Sequence, residues 1–209
     1  MPKADTKLNI LDAAEHLFAM HGVSATSIRE ITGRAKVNLA AIHYHFGSKE
    51  NVLESVLSRR LIPLNAERLA LLEEYERQSK SGVVSLPKII EALVGPALRL
   101  SRNPEKGGAL FMRLLGRLVL EPDDSIQALL TRQFETVLTK FMPALKRALP
   151  KLEPIDFFWR LHFLVGAMAH TMADSERISS VSGGICDPDD TEGIISRLVV
   201  FLTAGLKAR

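Results

Sequence analysis

Between residues 26 and 50 the chain carries two helix starts so close together that only short helices fit between them. Ser27, followed three residues later by Glu30, has the pattern of a capping box, in which hydroxyl and carboxylate satisfy each other's backbone N–H groups. Ile28, Ile31 and Ala35 then recur on one face at helical spacing. Asn38 is a good N-cap for a second helix, whose inward face would be Ile42 and Phe46. The outward face would carry Leu39, Ala40, Ala41, His43 and Tyr44. Helices this short bury too little surface to stand alone. Two of them joined by a tight turn make a helix-turn-helix, whose second helix is shaped for a DNA major groove.

The same residues resemble the DNA-binding head of the TetR family of transcriptional regulators, in an AcrR-like form. Thr26 and Ser27 match the paired hydroxyls that open the first helix, and Ile31 and Thr32 match an apolar–small pair. Ala35 and Val37 flank the turn, and Asn38 takes the usual Ser position. The run from Ile42 through His45, Phe46, Gly47 and Ser48 to Lys49 and Glu50 is a near-complete match. Three residues depart: Lys36 and Ala40 stand where Gly is usual or frequent, and His43 where Tyr is usual. A left-handed Lys36 costs about 1 kcal/mol relative to Gly, so the turn is expected not to be strictly left-handed. The clear match covers about the first fifty residues, and the rest resembles the family in architecture only.

The resemblance implies an all-α chain. It would have a three-helix head at residues 4–64, with its motif at about 27–46, and an effector-binding and dimerisation body at 65–209. It places Thr26, Ser27, Tyr44, His45 and Lys49 at DNA phosphates. Arg29, Lys36, Asn38 and His43 would meet base edges, and Leu39, Ala40 and Ala41 would meet thymine methyls. The implied partners are a double-stranded operator, a second copy of the chain, and a small apolar or amphipathic effector. Arg59 and Arg60, with the Leu-Ile-Pro-Leu-Asn that follows, look like a branch responding to fatty acids or acyl-CoA.

The remaining residues read as helices throughout. Residues 6–21 carry Ile10, Ala14, Leu17 and Phe18 on one face and stop at Gly22. Ser48 can cap the next helix, which Pro63 should kink or break before a second stretch runs to about residue 79. Loops are expected at residues 79–82 and 104–108. The helix between them starts after Ser85 and should kink at Gly95-Pro96. Residues 109–120 are apolar except for Arg113 and Arg117, four apart, which are candidates for the anionic head of an effector. Asp123 caps a further helix, with a bend at Pro143 and its end near Pro150. Pro154 opens a helix to about residue 173. A loop at 179–184 follows, and Asp187 and Pro188 lead into a last helix at about 191–207.

In that last helix Ile195, Leu198, Val199, Leu202 and Leu206 form one stripe, while Ile194, Phe201 and Ala204 lie off it. A helix apolar on two sides must be buried on two sides, one of them most simply by another subunit. The expected dimer face joins this stripe to Phe158, His162, Val165 and Ala169 of the preceding helix, as a four-helix interface.

Other classes find little support. The chain contains no nucleophile elbow, P-loop, His-Glu-x-x-His site or dinucleotide fingerprint, so an enzyme is a remote alternative. A helical adaptor without DNA binding is the nearer one. His16 and His21 have no metal-ligand spacing, and neither metal nor cofactor is expected. A net charge of +3 is too small to argue for nucleic acid by itself. One cysteine, Cys186, excludes an internal disulfide and suits a reducing cytoplasm. No apolar run is long enough for a membrane span, and no signal peptide is indicated.

Overall fold

A computed structural model describes residues 3–80, 82–103, 107–173 and 176–208. Ser81 and residues 104–106, which fall in two of the expected loops, lie outside the described residues. The described residues contain α-helices and no strand. They are α1 (Lys3–His21), α2 (Ile28–Ala35), α3 (Leu39–His45), α4 (Lys49–Gln78) and α5 (Leu86–Ser101). The order continues with α6 (Gly108–Val119), α7 (Asp124–Ala148), α8 (Pro154–Ala173), α9 (Glu176–Val181) and α10 (Thr191–Lys207). None of these helices is long and apolar enough to cross a membrane.

Two compact units result, and they are not the two continuous segments expected from the sequence. The head unit joins Met1–Pro63 to Leu110–Gln133, and the body unit joins Leu64–Ala109 to Phe134–Arg209. Most of α6 and the start of α7 therefore belong with the head. The reason is apolar surface: Phe111, Leu114, Leu118, Ile126 and Leu129 are all buried, on helices that sequence order alone assigns to the body.

In the head, α1 packs on both α2 and α3, and Ile10, Phe18, Ile31, Ile42, Val52 and Leu57 are fully buried. The local signals work as written. The Ser27 N–H donates to Glu30 Oε2 at 2.7 Å, and the Glu30 N–H donates to Ser27 Oγ at 3.2 Å. Asn38 Oδ1 accepts from the Ala41 N–H at 2.9 Å, opening α3, and Ser48 Oγ accepts from the Asn51 N–H at 3.2 Å, opening α4.

The turn between α2 and α3 corrects one expectation. Lys36 is left-handed, with φ 55° and ψ 43°, and is the one non-glycine residue with positive φ among those described. A Schellman closure stabilises it: the Lys36 N–H donates to Gly33 O at 3.3 Å and the Val37 N–H to Thr32 O at 3.1 Å. These bonds satisfy carbonyls that the end of α2 would otherwise leave bare, which offsets the strain. Replacing Lys36 with Gly should raise unfolding stability by about 1 kcal/mol. Denaturant titration reads this directly, and an unchanged midpoint would mean the strain is not there.

None of the three internal prolines ends its helix. Pro63, Pro96 and Pro143 all lie inside helices that continue through them. Each removes one backbone donor, but buried side chains hold the helix on either side: Leu61 and Leu64 in α4, Val94 and Leu98 in α5, Phe141 and Leu145 in α7. The approach to α10 is corrected too. Its cap is Asp190, whose Oδ1 accepts from the Gly193 N–H at 2.9 Å, whereas Asp187 Oδ1 accepts from Asp189 N–H. A short helix, α9, stands where the sequence suggested only a loop.

In the body, α5 packs against α10 and α8. Ile89, Ile90, Val94 and Leu98 meet Leu164 of α8 and Ile195, Leu198, Leu202 and Leu206 of α10 in one cluster. Arg99 holds Glu192 side-on through two bonds of 2.7 Å, fixing α5 to α10. Arg160 donates to the carbonyls of Leu206 at 3.0 Å and Ala208 at 2.7 Å, closing the C-terminal end of α10 with a cation. Arg68 is buried in the body, with Nε on the Leu93 carbonyl at 2.8 Å and Nη1 on Asn65 Oδ1 at 3.1 Å. Burial pulls its pKa down to about 10, with the charge of Glu67 partly opposing it, so it stays charged at neutral pH.

Candidate nucleic-acid interface

Helix α3 is fixed from behind and open in front. Ile42 is fully buried against the head, while Leu39, Ala40, His43 and Tyr44 are exposed and Ala41 and His45 are half-buried. Arg29 on α2 and Lys36 in the turn are exposed beside it. Tyr44 stands edge-on to His45, with ring centroids 5.0 Å apart. His43 Nδ1 lies 3.2 Å from the Gly47 carbonyl, so a proton on Nδ1 donates there and leaves Nε2 as an acceptor.

Several residues expected at DNA have structural work of their own. Thr26 is buried, and its hydroxyl donates to the Gly22 carbonyl at 2.7 Å. Ser27 is engaged in the capping box, whose backbone N–H and hydroxyl bonds hold the Glu30 carboxyl below its usual pKa. Lys49 reaches back to the α1–α2 turn, donating to the carbonyls of Val23 at 3.0 Å and Thr26 at 3.1 Å. The oxygen of the Asn38 side chain is used as the α3 cap, and its amide N–H donors remain for recognition. The exposed polar groups best placed for readout are thus Arg29, Lys36, His43 and Tyr44.

A group that sequence reasoning missed ties the head together. The Glu15 carboxylate is buried in α1 and meets two guanidinium groups from α4. Arg60 grips it side-on through Nη2 at 2.9 Å and Nε at 3.1 Å, and Arg59 Nη2 adds a bond of 2.6 Å. Arg59 Nη1 also meets Asp12 at 2.6 Å. Burial works against the charge on Arg59, but its bonds to Glu15 and Asp12 outweigh that and raise its pKa. The signal was present as Asp12 and Glu15 on one helical face and adjacent arginines on α4, but only the fold shows that they meet.

The expected effector arginines fall outside the body unit. Arg113 is exposed, and Arg117, also exposed, donates through Nη1 to the Ala19 carbonyl near the end of α1 at 3.2 Å. Both belong to the head unit.

The α10 part of the expected dimer face is already buried within the chain. Ile195, Leu198, Leu202 and Leu206 are buried in the body's own core, and Val199 is packed against it. The face left open carries Val200 and Phe201, which are 67% and 68% exposed. On α8, Phe158, His162 and Val165 are exposed and Ala169 is half-buried. Trp159 and Phe163 extend the same open face, stacked at 6.0 Å. A cavity of about 570 Å³ opens in the body beside α9 and α10.

A helical head that presents a short, capped helix with an open outer face defines a helix-turn-helix protein. Comparison with known proteins makes this specific. Residues 10–56 match the family described as bacterial regulatory proteins, tetR family, and residues 91–205 match the tetracyclin repressor-like C-terminal domain. The chain belongs to the TetR family of DNA-binding transcriptional regulators. Among similar proteins is the HTH-type transcriptional repressor Rv3405c of Mycobacterium tuberculosis, 50% identical over 48 residues, which are 23% of this chain and 26% of that protein. The chain thus matches only about a quarter of the length of this curated relative. The fatty acid degradation regulator FadR from Bacillus halodurans shares the fold, with TM-score 0.68 and 14% identity, over 100% of this chain and 98% of that one. A TetR-family regulator from Bordetella parapertussis gives TM-score 0.67 and 19% identity, over 94% and 93% of the two chains.

Proposed function

We propose that the protein is a repressor that binds an inverted-repeat operator as a homodimer and releases it when a small apolar or amphipathic molecule binds the body. The observation that carries this reading is α3: capped by Asn38, buried at Ile42, and open at Leu39, Ala40, His43 and Tyr44, with Arg29 exposed alongside. Two such helices related by a two-fold axis suit half-sites about 34 Å or a little more apart. The open apolar face of α8 and α10 supplies a self-complementary surface for that pairing. Effector and operator then weaken each other reciprocally, because each favours a different spacing of the heads.

Direct readout divides by chemistry. Arg29 suits guanine, Leu39 and Ala40 suit a thymine methyl, and the His43 Nε2 acceptor suits the amino group of cytosine or adenine. Arg29→Ala should cost about 1–3 kcal/mol of operator binding and relax one position of the site. A binding-site selection that returns the same preference with and without Arg29 would remove that assignment. A fatty acid or acyl-CoA is the leading effector class, supported by the resemblance of residues 57–72 to that branch of the family and by the name of the fold neighbour FadR, although Arg59 and Arg60 themselves pair with Asp12 and Glu15 in the head.

A gel-shift with the DNA upstream of the protein's own gene tests the regulator reading. Specific retardation, competed by the same sequence and not by random duplex, is the expected result. Binding no tighter than to random duplex at moderate salt would favour a helical adaptor instead.

A further inference from the structure

We propose that the body binds a small amphipathic carboxylate in the cavity where the C-terminal ends of α5 and α8 meet α9 and the start of α10. The proposal rests on the regulator reading for its biological consequence, and on the cavity itself for its chemistry. At about 570 Å³ the cavity falls within the range typical of small-molecule sites, roughly 300–1,000 Å³. Its walls are mainly apolar, formed by Ile178, Ile194, Leu198 and Phe201, and Arg102 stands among them.

Arg102 decides the ligand's charge. Its Nη1 donates to the Pro188 carbonyl, while its Nε is buried and has no hydrogen-bond partner among the described residues. Among the described residues no carboxylate pairs with it. The carboxylates that share the cavity are already engaged. Asp190 accepts from Arg197 at 3.1 Å and from the Gly193 N–H at 2.9 Å, and Asp187 accepts from the Asp189 N–H at 2.8 Å. A buried guanidinium N–H without an acceptor is unfavourable until one arrives, and an anionic acceptor serves it best. A carboxylate is the group whose two oxygens fit the side-on edge of a guanidinium. The apolar walls then set the rest of the molecule as a hydrocarbon body. Burial lowers the Arg102 pKa, and the charge of Asp189 partly opposes it.

The position has a regulatory meaning. Phe201 lines the cavity and also lies on the open face of α10. An occupant therefore touches the surface proposed to meet a second copy, and acts on the pairing of subunits rather than from a sealed interior.

Cys186 provides the readout. It is the only cysteine in the sequence, it is exposed, and it lines the cavity. The rate of its alkylation by N-ethylmaleimide is measured on the full-length protein with decanoate, decylamine or decanol. Decanoate should slow the reaction saturably, and the other two should not. Arg102→Gln should weaken that protection by about 10–100-fold, the loss expected for one charge-assisted pair. Ile178→Asp, on the exposed short helix, should weaken it too by repelling the anion without touching the core. Operator binding without ligand should be unchanged in both variants; Arg102→Gln should lower the unfolding midpoint slightly, because it loses the bond to the Pro188 carbonyl, and Ile178→Asp should leave it unchanged.

Equal protection by all three probes, or by none, would overturn the proposal. So would protection that rises with protein concentration alone, since a second copy would then be what covers the groove. Operator binding with no decanoate protection defeats this site and leaves the regulator reading standing. Carboxylate-selective protection in a protein that never binds its operator upholds the site and defeats that reading.

Discussion

Trp159→Asp should give a folded monomer that no longer binds operator DNA tightly. Trp159 is 57% exposed and stacks on Phe163, in the middle of an open apolar face completed by Phe158 on α8 and by Val200 and Phe201 on α10. Contiguous apolar surface of this kind marks an interaction site. In a two-fold dimer the same residue is buried twice, so each substitution counts twice. An interface Trp contributes on the order of 2 kcal/mol or more, so the pair should raise the dimer dissociation constant about 10³-fold or more. Operator affinity should fall by about 10²–10⁴-fold, because two half-sites would no longer be held together. The folded monomer itself should keep its unfolding midpoint, since an exposed side chain contributes little to its own chain's stability. Sedimentation velocity and a gel-shift read both effects. A variant that remains dimeric at low micromolar concentration would place the interface elsewhere.

Glu15→Ala should destabilise the head strongly. It removes a buried carboxylate and leaves Arg59 and Arg60 without the group that neutralises them. Removing one partner of a fully buried pair costs about 3–5 kcal/mol, but these guanidiniums are a fifth exposed and Arg59 keeps Asp12, so about 2–4 kcal/mol is expected. Thermal unfolding measures the loss. Hydrogen exchange should show it first in α1, where the carboxylate sits. A cost below about 1 kcal/mol would mean the cluster behaves as an ordinary surface ion pair.

What could be read in the chain follows from which forces are local. Capping is local, and Ser27 with Glu30, Asn38, Ser48 and Asp123 all cap as their sequence context requires. Helical periodicity is local as well, which is why α5, α8 and α10 begin and end close to where the pattern places them. Non-local packing is what escaped. Pro63, Pro96 and Pro143 carry a local penalty that buried neighbours override, and Lys36 takes a conformation whose cost the two closing hydrogen bonds offset. On α10 the sequence shows two apolar sides but not which one the chain keeps for itself. The answer depends on α5, about a hundred residues away in sequence, whose Ile89 and Leu98 claim the Ile195–Leu206 stripe.

The candidate DNA face was legible as a set and less so residue by residue. Leu39, Ala40, His43 and Tyr44 are open, as outward positions of a short helix must be. Thr26 and Lys49 instead close the α1–α2 turn through Gly22, Val23 and Thr26 carbonyls. A hydroxyl or an ammonium looks the same in a sequence whether its acceptor is a phosphate or a backbone carbonyl of its own chain.

Docked in a major groove as proposed, the apolar outer face of α3 would bear on the covalent state of an operator as well as on its order of bases. Leu39 and Ala40 have no hydrogen-bonding group to offer a base edge, and what they can sense is the C5 substituent of a pyrimidine. Thymine and 5-methylcytosine carry the same substituent there, and uracil carries none. To such side chains a methylated cytosine is closer to thymine than unmodified cytosine is, so a head built this way is chemically suited to respond to DNA methylation.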